Sequence, residues 1–111
     1  MSNREEKLPA VYMMASQRNA TIYVGVTSNL YNRVLTHKDD GLAGFTQKYG
    51  VKNLVWYEFH ETMESAIQRE TQIKNWKRDW KIKRIIEFNP LWFDLHEEID
   101  YGLQKYSPNV K

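Results

Sequence analysis

Two short runs of strand-forming residues separated by only five positions set the tightest limit on what this chain can become. Residues 10–15 read Ala, Val, Tyr, Met, Met, Ala, and residues 21–27 read Thr, Ile, Tyr, Val, Gly, Val, Thr. β-Branched and aromatic side chains suit a pleated, half-buried surface, and so short a polar connection joins neighbouring strands antiparallel. The chain therefore begins with a hairpin. Gly25, inside the second strand, marks a place where something approaches the backbone closely. A third run, Leu54, Val55, Trp56, Tyr57, Glu58, Phe59 and His60, predicts one further strand.

Between and after these strands the pattern is helical. Ser28 or Asn29 offers an N-cap for a helix reaching about Lys38, with Leu30, Val34 and Leu35 at helical spacing. Residues 41–53 hold three glycines and no period, which predicts a surface loop placed to touch a ligand. Thr62 caps the longest helix, expected over 63–78, and a further helix carries Trp80, Ile82, Ile85 and Ile86 until Asn89 and Pro90 stop it. Residues 91–95 are expected to pack back on the core. The fold class is thus α+β: a small three-stranded antiparallel sheet flanked by helices in the order β-β-α-β-α-α. With 111 residues there is room for one core, which places a tail at 1–8, one domain over 9–95 and a polar tail at 96–111.

Composition removes several classes of chemistry. There is no cysteine, so disulfides, thiolate nucleophiles and Cys-type zinc sites are excluded, and the three histidines (His37, His60, His96) contain no pair at helical metal-binding spacing. No apolar run approaches the roughly 20 residues of a membrane-spanning helix, and the N-terminal residues lack the apolar core of a signal peptide. A soluble cytoplasmic protein is expected. The net charge is only +2, but its distribution is uneven. Arg69, Lys74, Lys77, Arg78, Lys81, Lys83 and Arg84, against Glu70 and Asp79, give residues 69–84 a balance of +5, leaving −3 for the rest. Basic residues interleaved with Trp76 and Trp80 suit a phosphate-backbone contact surface; the plainer reading is a solvated helix face.

One residue sits badly in the long helix. At about 100° per residue, Met63, Ala66, Glu70 and Ile73 share an arc of about 80° that should face the sheet. An unpaired buried carboxylate costs several kcal/mol, so Glu70 needs a metal, a proton or a cation, the last from Lys74, Lys77 or Arg33. Elsewhere Tyr12 and Tyr23 lie on adjacent strands, and Arg33 and His37, at i and i+4, share a helix face from which both could reach one phosphate.

In combination these residues resemble the GIY-YIG nucleases. The first signature stands here as Ala10, Val11, Tyr12 and the second as Tyr23, Val24, Gly25, with ten residues between the tyrosines. Thr27 to Arg33 is similar to the family's helix opening with its arginine, His37 falls where members carry His or Tyr, and Glu70 takes the place of the family glutamate. The resemblance covers roughly residues 8–90 and is greatest to small stand-alone bacterial members similar to the N-terminal domain of excinuclease C, a DNA-repair protein. Ala10 departs from the usual glycine, and Val26 stands where many members have lysine.

The resemblance implies a metal-dependent DNA endonuclease in which water hydrolyses the phosphodiester by in-line attack. It assigns catalytic roles to Tyr12, Tyr23, Arg33, His37 and Glu70, and places one Mg²⁺ or Mn²⁺ on Glu70. A single carboxylate suffices for Mg²⁺, which keeps waters and substrate oxygens as its other ligands. Tyr12 is assigned as general base, with Tyr23 and His37 as rivals; a phenol near pKa 10 would have to drop about three units, roughly 4 kcal/mol, to be ionised at neutral pH. Arg69, Lys74, Lys77, Arg78, Lys81, Lys83 and Arg84 would grip DNA through its phosphates, with selectivity for DNA structure or direction by a protein partner. The alternatives are a nucleic-acid binding module of the same fold without turnover, which Val26 favours, and a protein-interaction domain.

Overall fold

In the computed structural model, which describes residues 8–16, 21–38 and 50–99, three antiparallel strands lie in the order β2-β1-β3, with β1 (Ala10–Ala15) between β2 (Ile22–Thr27) and β3 (Asn53–Phe59). Helix α1 (Leu30–Lys38) follows β2, and α2 (Met63–Lys74) and α3 (Arg78–Phe88) follow β3, giving the expected α+β order. Every residue of β1 is buried, as a central strand covered on both faces requires.

Strand alternation sends side chains to two separate layers. Ala10, Tyr12 and Met14 join Leu30 and Val34 of α1 and Leu54, Tyr57 and Phe59 of β3. Val11, Met13 and Ala15 join Val24, Val55, Trp56, Ala66 and Ile73 of α2 and Ile85 of α3. Helix α1 thus covers one face, and α2 and α3 the other. Leu30, Val34, Ile73 and Ile85 are fully enclosed, each stabilising by about 1.5–3 kcal/mol. An irregularity at Met13/Met14 lets Val55 and Trp56 both serve the α2 layer before Tyr57 returns to the α1 layer.

Local bonds explain the helix limits. Asn29 Oδ1 accepts from the Asn32 amide (3.2 Å) at the start of α1, and Thr62 Oγ1 from the Ser65 amide (3.1 Å) at the start of α2; such caps are worth about 1 kcal/mol. The long helix expected over 63–78 stops sooner. Asn75 ends it, its amide donating to the carbonyls of Thr71 and Gln72 while Trp76 N–H donates to Ile73, and a new helix starts at Arg78. The break turns half-buried Trp76 onto the α2 layer, a packing gain that periodicity in one dimension does not reveal.

Residues 91–95 pack back on the core through part of their length, and the packed structure runs past residue 95. Of residues 91–95, Trp92 is buried and Leu95 partly so, but Leu91 and Phe93 are exposed. Trp92 reaches the core at φ 59°, a conformation rare for a bulky residue, held by buried Asn89, which donates to the carbonyls of Val55 (3.2 Å) and Phe93 (2.8 Å) and accepts from Phe93 N–H (3.1 Å). The segment read as a polar tail from His96 is, through Ile99, part of the packed structure: Leu95–Glu98 form a 3₁₀ turn, Tyr57 donates to Glu98 (2.5 Å), and Ile99 is buried in the α1 layer. Residues 41–49 of the expected loop lie outside the described residues, whereas Val51 is buried and Asn53 already belongs to β3.

Gly25 is paired across the sheet with Tyr12, whose phenol lies over its Cα; a Cβ there would stand 2.5 Å from the hydroxyl and 2.6 Å from Cζ. Gly25→Ala should therefore destabilise by about 1–3 kcal/mol, as overpacking does, and displace the Tyr12 ring. Denaturant melts of the variant, with the aromatic chemical shifts of Tyr12, check both.

Candidate active site

The hairpin register that places Tyr12 over Gly25 also brings Tyr23 to the same face, and α1 lays His37 against both rings. Ring centroids are 6.2 Å apart for Tyr12 and Tyr23, 5.8 Å for Tyr12 and His37 and 5.1 Å for Tyr23 and His37, with His37 edge-on to each tyrosine. Tyr12 Oη and His37 Nε2 form a buried hydrogen bond of 3.1 Å. Arg33, one turn before His37, interacts electrostatically with both groups. Four of the five residues expected from sequence are thus gathered on one face.

Both titratable partners are held neutral. Burial raises the Tyr12 phenol above its ordinary range, Tyr23 reinforces this, and the Arg33 cation only partly opposes it. The shift is opposite to what a resting tyrosinate requires. Burial and then the Arg33 charge lower His37 to about 4, so at pH 7 it is a neutral imidazole with a lone pair to offer. Its Nδ1 is buried without a hydrogen-bond partner among the described residues, a cost tolerated here in the middle of the cluster.

The end of α1 is clasped from below. Lys38 Nζ reaches Asp94 Oδ2 (2.5 Å) and the Lys52 carbonyl (2.9 Å), while Asp94 Oδ1 accepts from the amides of Leu54 (3.1 Å) and His96 (3.2 Å). Burial alone would push Asp94 up, but the Lys38 ammonium and these amides hold it below the usual carboxylate range. His96 in turn stacks on Tyr31 (4.9 Å, 29°). These contacts fix the helix that carries Arg33 and His37. Sequence offers little warning of them, since Lys38 and Asp94 are 56 positions apart.

Glu70 stands apart from this cluster. It projects between Ala66 and Ile73 from α2, on the opposite sheet face, with its side chain only 15% exposed and Oε2 paired to Lys74 Nζ (2.9 Å). Lys74 is one of the three cations anticipated as its partner. The carboxylate is a hard oxygen donor of the kind Mg²⁺ takes singly alongside water and phosphate oxygens. No cluster of three or more His, Asp or Glu side chains that could hold a metal ion occurs among the described residues. Because α2 lies over β2 and β1, and β2 is an edge strand, the edge at β2 is the one nearest α2 between Glu70 and the tyrosine face. Val26, in that strand, packs into the α2 layer, so on the tyrosine face the nearby cation comes from Arg33.

The basic residues divide by their partners. Arg69 is tied to Glu58 (Nε to Oε1, 3.0 Å) and Gln72 (2.7 Å), Lys74 to Glu70, and Arg84 to Glu87 (3.5 Å). Lys77, Arg78 and Lys83 are exposed, and Lys81 is lowered by partial burial and by the neighbouring Arg78 and Lys74. Sequence reading did not single out the network around Glu58: His60 Nε2 contacts Glu58 Oε1 (2.9 Å) and its Nδ1 meets Ser65 Oγ (2.7 Å). The i, i+2 spacing of Glu58 and His60 along one strand was the available signal.

Comparison with known proteins gives the family. The chain is 34% identical over 68 residues, 61% of its length and 73% of the relative's, to a UPF0213 protein of Clostridium perfringens. It is 32% identical over 77 residues, 69% of its length and 93% of the relative's, to a UPF0213 protein of Staphylococcus haemolyticus. No solved structure gives a significant match. The model of the GIY-YIG catalytic domain matches residues 8–83, from the start of the packed chain into α3, and takes in both tyrosines, Arg33, His37 and Glu70. The chain belongs to the GIY-YIG family.

Proposed function

We propose that this protein is a metal-dependent endonuclease that hydrolyses phosphodiester bonds of DNA, the substrate lying across the outer edge of β2 between Arg33 on one side and Glu70 on the other. The carrying observation is the packed cluster of Tyr12, Tyr23, Arg33 and His37, in which a buried phenol and a neutral imidazole share a hydrogen bond beside a guanidinium. Glu70 would hold one divalent ion, which when bound neutralises phosphate charge and steadies the leaving oxygen. Arg33 donates to a non-bridging oxygen and fixes the group for in-line attack.

The proton path follows from the two shifts. Burial disfavours a free tyrosinate, so Tyr12 serves best as a relay: its oxygen takes the proton of the attacking water while its own proton passes to His37 Nε2. The new P–O bond forms from that water, the bond to the leaving oxygen breaks and that oxygen is protonated from solvent, while His37, held at about 4, returns its proton to solvent and restores the resting pair. At no point does an isolated phenolate have to exist. The setting proposed is the cytoplasm, with DNA structure or a protein partner supplying selectivity.

A second reading, a DNA-binding module of the same fold without turnover, is favoured by Val26 packing as an apolar residue and by Lys74 holding one oxygen of Glu70. Incubation with supercoiled, linear, single-stranded and branched DNA in Mg²⁺ or Mn²⁺ and in EDTA separates the two. Metal-dependent cuts that vanish in Glu70→Ala are expected; binding without cleavage on every substrate would establish the module instead. Arg33→Ala should lower turnover by about two orders of magnitude and affinity far less, read as kcat against KM.

His37 gives a pH signature. Held at about 4, it stays neutral down to pH 5, so the acid limb of kcat/KM should show no inflection near 6.5. Between pH 6.5 and 4 the unfolded chain binds a proton that folded His37 refuses, so stability should fall as pH drops through that window. His96, also lowered, adds to the same slope. Urea melts at pH 7 and pH 5 should show a smaller difference in His37→Asn than in the wild type.

A further inference from the structure

The two exposed aromatic and basic elements behind the sheet form a site that the catalytic cluster does not use. Trp80, at the start of α3, is 58% exposed and meets Trp76 edge-to-face (6.4 Å, 67°). The guanidinium carbons of Arg69 and Arg84 each stand 5.4 Å from the Trp76 ring centroid. Between Trp76, Trp80, Lys83, Arg84 and Glu87 lies a groove of about 220 Å³, continuous through Arg84 and Glu87 with a broader one of about 610 Å³ that runs along β3 past Arg69 and His60.

An apolar protein partner would suit Trp80 alone but not its surroundings, where Lys83 and Arg84 line the groove beside one acid, Glu87. The acids in the groove are already answered: Glu58 by Arg69 and His60, and Glu87 by Arg84. Lys77 and Lys83 remain exposed on either side of Trp80 in sequence. An exposed indole beside cations suits a ligand that brings both a π-face and negative charge.

We infer that this groove binds single-stranded nucleic acid, with an unpaired base stacked on Trp80 and flanking phosphates on Lys83 and Arg84. Stacking tolerates any base and the phosphates carry no sequence, so the site would select for unpaired strand and not for sequence. It rests on the DNA reading above and deepens it, since a nuclease with this second contact is directed to junctions where duplex and single strand meet.

The test uses the full chain in EDTA, so that no cleavage intrudes, with a fluorescent oligothymidylate of about ten nucleotides and a duplex of the same length as probes. The wild type should bind the single strand more tightly than the duplex. Trp80→Ala should weaken single-strand binding about tenfold or more and remove that preference; Trp80→Phe, which keeps a ring, should retain most of it. Lys83→Gln should flatten the dependence of single-strand affinity on salt. Equal affinities for the wild type and Trp80→Ala, or failure of the wild type to bind either probe, would overturn the inference, the second outcome pointing to a protein partner for Trp80. Cleavage assays on the same variants keep the two proposals apart. Loss of the single-strand preference in Trp80→Ala supports the groove, and an inactive wild type that still binds the single strand would end only the nuclease reading.

Discussion

The contact of the Tyr12 phenol with the bare Cα of Gly25 is the constraint from which the active face follows. It fixes the register of the hairpin, since a slip by one residue would put a side chain beneath the ring and send Tyr12 and Tyr23 to the other layer. It also leaves the hydroxyl at the level where His37 of α1 meets it. Strand pairing, helix placement and the protonation states of the cluster are therefore one arrangement. The same burial that packs the ring raises its pKa and lowers that of His37, so the couple is stored neutral.

That neutrality bears on how a buried pair could take part in hydrolysis at all. A free tyrosinate and a free imidazolium would each be penalised by desolvation, and Arg33 stabilises the first while opposing the second. A relay avoids the first, because proton gain at Tyr12 and proton loss to His37 are coupled; it does form the second, which burial and Arg33 drive to give its proton up again. The clasp of Lys38 by Asp94 matters here through position alone: it holds the last turn of α1, and with it the imidazole, against a strand that cannot move.

Much of this was legible in the sequence, for reasons that differ by residue. Strands and the first helix follow from alternation, caps and β-branched composition, and the ordered series of Tyr12, Tyr23, Gly25, Arg33, His37 and Glu70 carries the family. Gly25 could be read as a point of close approach, but not that Tyr12 itself is what approaches. The early end of α2 was hidden because Ile73, Trp76 and Lys77 continue a helical period across the break; only packing distinguishes a turn that brings Trp76 inward. The bonds made by Asp94 and Asn89 were hidden for another reason. Both act through bonds to backbone groups of β3 and its flanks, and a backbone partner leaves no trace in side-chain pattern.

The sheet imposes a last consequence by separating chemistry from grip. Residues that could move protons lie in the α1 layer, whereas Glu70 and the basic helices lie in the α2 layer, and the outer edge at β2 is the shortest way between the two faces. Within α2 neighbouring residues turn by about 100°, so Arg69 leans to Glu58 on β3 while Glu70 faces the sheet between Ala66 and Ile73. The basic helices therefore do not simply extend the site; with the Trp80 groove on the β3 flank, they meet a different stretch of the same strand. A substrate that engages both must bend or change from duplex to single strand between them. On the proposed reading, selectivity for structure over sequence would then come from the shape of a three-stranded sheet.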